Sequence, residues 1–344
     1  MKKYLIIPFV LFLGCTTTKE STKKSKSISY TIGFYNVENL FDVEDDPLIN
    51  DDEFVPGSEK DWTPQRYEDK LIKIGTVILN SGQGEFPLAY GLCEIENKAV
   101  LNQLINTEIL SGGNYAIEHY DSPDERGIDN AFIYRKDFLT VVKSTPISID
   151  LEKLGYNDQT RDILYVETVI KNTKKKVHFF INHFPSRSGG QEASEPKRME
   201  VAKVLKSMVD DIAQNEKDPS IIIMGDFNDM PENKSIREVL KACPLEEKCY
   251  LNNLSYPEAK ANRGTYKYKG DWNMLDQIIV SNSLTDTSNS IHVEENKALI
   301  YREDIVMYNN DAGDASPNRT YGGNNYYGGY SDHLATYIKL IVRK

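Results

Sequence analysis

The chain is 344 residues long and carries 52 acidic against 41 basic side chains, a formal net charge of −11. Such an excess excludes a protein that grips nucleic acid through a broad basic surface, although local arginines and a bound cation can still collect phosphate. With 40% hydrophobic residues, and no long apolar run beyond the N-terminus, the chain can bury a sizeable core.

At the N-terminus Lys2 and Lys3 precede an apolar run from Tyr4 to Leu13 that is too short to span a bilayer. Gly14 and Cys15 follow, then a polar tract, TTTKESTKKSKS, that cannot build a core. A cysteine after such a run and a small residue resembles a bacterial lipobox, with Phe12 where that box usually carries Leu. The segment predicts a signal peptide over 1–14 and a polar linker over 15–27, lipid-anchored through Cys15. An exported domain over 28–344 would then face the periplasm or the cell exterior.

Past the linker, SYTIGFYNV predicts the first strand, and RYEDKLIKIGTVIL, with apolar positions at helical spacing, the first helix. Between them VEDDPLINDDEFVPGSEKD reads as an exposed acidic loop. AYGLCEI is the next strand, with Cys93 as a buried small hydrophobe, and AVLNQLINTEIL the second helix. NAFIYR, YVETVI and KVHFFINHF are strands, and EPKRMEVAKVLKSMVDDIA is the third helix. IIIMGDF, LDQIIVS and LATYIKL complete the strands, while SPNRTYGGNNYYGGY reads as an exposed loop whose glycines punctuate tyrosines. Cys243 and Cys249, six apart in ACPLEEKC, predict a small disulfide in an exported chain. No Pro/Ser-rich break divides residues 28–344, so one α/β domain is expected. Its many strands not separated by helices fit two packed sheets flanked by helices.

Polar residues recur where the apolar strands end: Asn36 and Glu38, Glu94, Asp129, His183, Asp226 and Asn228, Asp276, then Asp332 and His333. Residues at strand ends are held by a rigid sheet, and sites are commonly built there. Carboxylate and amide oxygens are hard ligands that suit Mg²⁺, Mn²⁺ or Ca²⁺. A histidine beside a carboxylate is oriented by it and made more basic. In IIIMGDFND, Asp226 and Asn228 stand two apart and would share a strand face; a turn with Asx hydrogen bonds is the competing account. His119, His178 and His292 have no neighbours in sequence that suggest chemistry.

Taken in order, Glu94, His183, the GDFN run, LDQIIVS and SDH resemble the endonuclease/exonuclease/phosphatase superfamily, which includes deoxyribonuclease I and exonuclease III. The resemblance runs from about residue 30 to the C-terminus and implies a four-layer α-β-β-α sandwich with two packed mixed β-sheets. It also implies roles. Glu94 would ligate the catalytic cation, Mg²⁺ with Mn²⁺ or Ca²⁺ as alternatives, joined by Asn36, Asp332 and Glu38. Asp129 would orient His183 against the scissile phosphate, with Arg161 as a further phosphate contact. Asp226 and Asn228 would bind phosphate and polarise the nucleophile, and Asp276 would brace His333 as the base. Whether one or two metals act is left open, and Arg187, Lys197 and Arg198 form either a phosphate-collecting patch or a solvated loop and helix start.

The resemblance favours an extracytoplasmic nuclease acting on DNA or RNA, with no obligate protein partner and a monomeric chain. A phosphodiesterase or phosphatase acting on phospholipid, sphingomyelin or inositol phosphate is the second reading, and a non-catalytic binding lipoprotein the third. The tyrosines before Asp332 either stack on bases or on a sugar or belong simply to a flexible exposed loop.

Overall fold

The computed structural model describes Met1, residues 27–157 and residues 159–343. Cys15, the expected signal segment and all of the linker before Ser27 lie outside those residues. In chain order the frame is β1 (Ser27–Leu40), α1 (Pro64–Ser81), β2 (Ala89–Ile95), α2 (Lys98–Ile105), β3 (Tyr115–His119), β4 (Asp129–Arg135) and β5 (Leu139–Ile147). It continues through β6 (Ile163–Ile170), β7 (Lys175–His183), α3 (Gln191–Asn215), β8 (Ile221–Asp226) and β9 (Leu251–Asn253), ending with β10 (Asp276–Ser281), β11 (Ile291–Val293) and β12 (Thr336–Arg343).

Two mixed sheets result. The first runs β11-β12-β1-β2-β4-β3, with Leu299–Ile300 also paired to β12. The second runs β5-β6-β7-β8-β10-β9, with Ala242–Cys243 at its far edge. Each has a parallel pair at its centre, β1 with β2 and β7 with β8, so four strands deliver their C-terminal ends in pairs. Phe34, Phe132, Phe179, Ile222, Met224 and Ile338 fill the space between the sheets. Gly91 permits that approach, because a Cβ there would lie 2.8 Å from the Met224 sulfur.

The helices close the outer faces. In α1, Pro64 opens the first turn, Thr63 Oγ1 accepts from the Arg66 N–H at 3.4 Å, and Tyr67, Leu71, Ile74 and Ile78 recur on one buried face. That face packs with α2 on Tyr35, Tyr90 and Leu92 of the first sheet. On the other side Val201, Leu205 and Val209 of α3 cover Phe180, Ile221 and Ile223 of the second. The order helix, sheet, sheet, helix is the expected four-layer sandwich.

Three expectations need adjustment. The second helix stops at Ile105, and the rest of AVLNQLINTEIL makes turns. Strands β3, β5, β9 and β11 carry little apolar alternation, and β5 and β3 occupy sheet edges where one side goes unpaired. The stretch 316–330 is not simply exposed: Thr320 and Tyr321 are buried, and Tyr321–Gly322 pairs with Asn325–Tyr326 as a small hairpin. Cys243 and Cys249 are joined with their Cα atoms 6.0 Å apart, and Cys93 is a buried free thiol.

The Phe132 and Phe179 rings meet at 4.8 Å across the two sheets. Phe179→Ala is therefore expected to cost about 3–5 kcal/mol in urea unfolding. A loss below about 1 kcal/mol would mean that the sheets do not pack through this ring.

Candidate active site

Strand register assembles the site before any side-chain contact is considered. Asp226, the last residue of β8, is the register partner of His183 on β7 and of Asp276 on β10. Residues paired across neighbouring strands share a face, so the three side chains form one row at the edge of the second sheet. Gly225 lets the row close: a Cβ there would sit 2.4 Å from the Asn182 carbonyl oxygen.

The first sheet meets that row through two irregularities. Register shifts in β1 between Asn36 and Leu40, and in β2 between Cys93 and Ile95. Glu38, Asn39 and Glu94 at these bulges have φ of 54°, 55° and 62°, in the left-handed region. A bulge re-aims the side chain it carries, and a non-glycine residue held in this region costs about 1–3 kcal/mol. Glu94 thereby turns into the cleft, where Asn39 N–H donates to its Oε2 at 2.9 Å. Asn36 Nδ2 donates both to Glu94 Oε1 at 3.2 Å and to Asp226 Oδ2 at 3.1 Å, and so ties the two sheets' carboxylates together.

Two histidines flank Asp226, and their surroundings push them in opposite directions. His333 Nδ1 donates to Asp276 Oδ2 at 2.7 Å, and its Nε2 lies 3.8 Å from Asp226 Oδ2. Thr265 holds the same Asp276 oxygen with its hydroxyl, and the Tyr266 ring packs 4.8 Å from the imidazole. Burial opposes the charged imidazole, but Asp276, Asp226 and Asp332 outweigh it and hold His333 well above its ordinary range. His183 Nε2 lies 3.7 Å from Asp226 Oδ2 and 3.9 Å from Glu94 Oε1, beyond hydrogen-bond range. Burial, with Arg161, Arg126 and His333 adding to it, pushes His183 well below its ordinary value. The surroundings thus favour the charged form of His333 and the neutral form of His183, a division suited to proton transfer and hydrogen-bond donation respectively.

The donors fit a hard divalent cation. Glu94, Asp226 and Asp332 line one cleft of about 640 Å³. Burial raises Asp226 and Asp332 above the usual carboxylate range; His333 draws both down, while Asp276 raises the first and Glu94 the second. This crowding of negative charge is what an oxygen-liganded cation relieves.

Four of the expected residues do other work. Asp129 does not brace His183. Its Oδ2 lies 3.1 Å from His119 Nε2 and its Oδ1 accepts from Ser122 N–H, while His183 Nδ1 is buried without a hydrogen-bond partner among the described residues. Arg161 is engaged by Asp124 at 2.8 Å and by the Phe184 carbonyl at 2.7 Å, and it is not among the residues that line the cleft. Glu38 is a latch: its oxygens accept from Thr320 N–H at 2.7 Å and Tyr321 N–H at 3.0 Å, leaving both engaged by backbone. Asn36, expected as a ligand, directs its amide nitrogen at the carboxylates while its oxygen accepts from Glu38 N–H. Asn228 stands at φ 48° and donates to the Phe184 carbonyl at 3.0 Å, on the cleft wall beside Asp226.

Two residues enter that sequence reading missed, Lys70 and Arg126, and the expected basic patch divides. Lys70 on α1 is buried and donates to Thr320 Oγ1 at 2.5 Å and to the Tyr330 carbonyl at 2.7 Å. Burial lowers it to about 8, against Glu38, Asp332 and Glu94, which favour its charge. A lysine on the apolar face of an amphipathic helix was the available signal. Arg126 and Arg187 supply the cleft's guanidinium groups; Arg187 is braced by the Asn228 carbonyl at 2.7 Å. Arg198, in contrast, is fully buried against Asp229 at 2.9 Å, and Lys197 lies over the Tyr156 ring.

Residues 31–342 match the endonuclease/exonuclease/phosphatase family. The chain belongs to that family. Its members are phosphate-ester hydrolases, generally dependent on divalent metal, and this chain is such a hydrolase by its match. A family protein from Bacteroides thetaiotaomicron superposes with a TM-score of 0.56 at 16% identity, over 93% of this chain and 97% of that one. The mannosyl-6-phosphatase of the same organism gives 0.55 at 16%, over 90% and 99%. TDP2 from D. rerio, complexed with a single-strand DNA product, gives 0.54 at 15%, over 91% and 98%. At such identities these likenesses show the fold. No curated protein matches the sequence.

Glu38→Ala separates the latch from a ligand role. Freeing two buried N–H groups is expected to cost about 2–4 kcal/mol and to admit protease between residues 318 and 330. Unchanged stability with divalent-cation affinity sharply reduced would return Glu38 to the ligands.

Proposed function

We propose that the chain is an extracytoplasmic, divalent-cation-dependent phosphodiesterase that cuts nucleic acid by in-line attack of water. One observation carries the reading: His333, braced by Asp276, faces Asp226 across from His183 in a cleft walled by Arg126 and Arg187. Phosphodiester cleavage needs a base in line with the leaving group and positive charge at the phosphoryl oxygens. His333 Nε2 is the base for the attacking water, and Asp276 stabilises the imidazolium that forms. His183 donates from Nε2 to a phosphoryl oxygen, Asn228 lies beside it, and Arg126 and Arg187 receive the flanking negative charge. Glu94 and Asp332 would hold the cation, Mg²⁺ first, which when bound polarises the phosphoryl group.

Nucleic acid is favoured by aromatic surface on the cleft wall. Tyr266 and Tyr268 line the cleft beside His333, and tyrosine faces accept unpaired bases without regard to sequence. The fold shared with a TDP2 captured on single-strand DNA agrees with this choice. A second reading, hydrolysis of a small sugar phosphate, draws on the size of the cleft: about 640 Å³ admits one sugar phosphate as readily as a nucleotide. The lipid on Cys15, and with it location at a membrane facing the periplasm or cell exterior, completes the proposal, and globomycin-sensitive processing of the precursor tests it.

The central experiment crosses single-stranded and plasmid DNA, RNA, sphingomyelin vesicles and mannose 6-phosphate with Mg²⁺, Mn²⁺ and Ca²⁺. Cleavage of DNA or RNA is expected with at least one cation and is abolished by His333→Ala. Phosphate release from mannose 6-phosphate with nucleic acid untouched would replace the first reading by the second.

A pH profile tests the base. His333 acts only when neutral, so activity rises with pH through its value. Asp276 raises that value, so Asp276→Asn should move the acidic limb to lower pH and reduce the plateau rate by ~10²- to 10⁴-fold. An unmoved limb would assign it to another group.

A further inference from the structure

A second hollow of about 410 Å³ adjoins the loop that delivers Asp332 and His333, lined by Tyr308, Ser316, Pro317, Asn318, Arg319 and Tyr327. Two of these tyrosines are exposed as large rings, 56% for Tyr308 and 62% for Tyr327. Arg319 is half-buried, and its side chain makes no hydrogen bond or ion pair among the described residues. The neighbouring Asn318 carbonyl accepts from the Tyr330 and Ser331 N–H groups at 2.6 and 3.2 Å, immediately before Asp332, which places the hollow at the border of the catalytic cleft.

The hollow is built on fixed backbone. Its Tyr308 wall belongs to a hairpin, Met307–Asn309 with Ala315–Pro317. Its Tyr327 wall is pinned from beneath: Tyr327 N–H donates to the Thr320 carbonyl at 2.9 Å, and Lys73 Nζ donates to the Gly328 carbonyl at 2.6 Å. Lys70 and Glu38 hold Thr320 itself. The cleft and the hollow also share a joint, since Lys267, between Tyr266 and Tyr268, donates to the Ala315 carbonyl at 2.8 Å. Rings held on a rigid frame bind with little ordering cost.

We propose that this hollow is a subsite for a nucleotide flanking the scissile phosphate of a single-stranded nucleic acid, with its base against Tyr327 or Tyr308 and a phosphate on Arg319. This deepens the nuclease reading and rests on it. Two aromatic faces beside an unengaged guanidinium match the alternation of base and phosphate along an unpaired strand. The overall charge of −11 leaves no broad basic track for a duplex, so recognition has to come from such local pairs of ring and arginine.

The test uses fluorescein-labelled hexathymidylate and the full chain carrying His333→Ala, with fluorescence anisotropy in Mg²⁺. Adding Tyr327→Ala or Tyr308→Ala should raise Kd about tenfold, in line with the loss of one stacked base. Arg319→Ala should weaken binding and flatten its dependence on salt. An abasic hexamer of the same charge should bind weakly and without regard to the tyrosines. Equal Kd in all these variants, or abasic binding as tight as that of hexathymidylate, overturns the subsite. Hydrolysis of bis(p-nitrophenyl) phosphate by the parent chain is read in parallel. Hydrolysis without tyrosine-dependent oligonucleotide binding removes the subsite and leaves the proposed function standing. Tyrosine-dependent binding without hydrolysis of any diester sustains the subsite and counts against the catalytic reading.

Discussion

Asp226 faces His183 on one neighbouring strand and Asp276 on the other, and the remainder of the site depends on that register. A slip of one residue in β7 or β10 would turn its functional side chain to the opposite face. The register is fixed by what lies behind it. Phe179, Ile181, Ile222, Met224 and Ile278 alternate into the space between the sheets, so any slip would expose apolar side chains in every row. Catalytic geometry and core packing are therefore one constraint. The first sheet meets the row only because β1 and β2 each carry a bulge, and the strained Glu94 is the product of that adjustment.

Charge is the second organising quantity. Glu38, Glu94, Asp226, Asp276 and Asp332 gather around one cleft in an already acidic chain, and each would repel the others if left alone. The protein answers at three depths. His333 sits between Asp276 and Asp226, which favour its charged form, Asn36 bridges Glu94 and Asp226 with neutral donors, and Lys70 brings a buried amine from the helix layer. The negative charge that lines the cleft itself sits on Glu94, Asp226 and Asp332. That negative charge, rather than any single ligand position, makes a divalent cation the natural complement.

Much of this architecture was legible because strands rich in β-branched and aromatic residues end abruptly in polar ones. AYGLCEI, KVHFFINHF, IIIMGDF and LDQIIVS each became a strand whose polar terminus lies at the cleft. The partners of those residues were much less legible. Asp129 has two histidines within reach of its sheet, and sequence order does not say that His119, on the adjacent β3, takes it. Arg161 is captured by Asp124, a loop carboxylate whose position depends on the turn before β4. The burial of Thr320 and Tyr321 depends on Glu38 and Lys70, some 250 or more positions away in sequence. Composition makes that loop look solvated, and only tertiary contact shows otherwise.

The same latch connects specificity to catalysis. Glu38 and Lys70 hold the segment from Thr320 to Tyr330, and Ser331, immediately after it, donates to the Asn36 carbonyl at 2.8 Å while accepting from His333 N–H at 3.0 Å. Asp332 and His333 are therefore set in place by the frame that carries Tyr327 and the Arg319 backbone. A loop fixed this firmly cannot adapt its rings to each ligand; it presents them in one arrangement. On the proposed reading, a strand of nucleic acid, whose bases differ but whose spacing does not, would need only such a rigid ring at fixed distance from His333. On that same reading, the net charge of −11 would work in favour of selectivity, repelling duplex and bulk polyanion while Arg126, Arg187 and Arg319 answer the charges of a single strand locally.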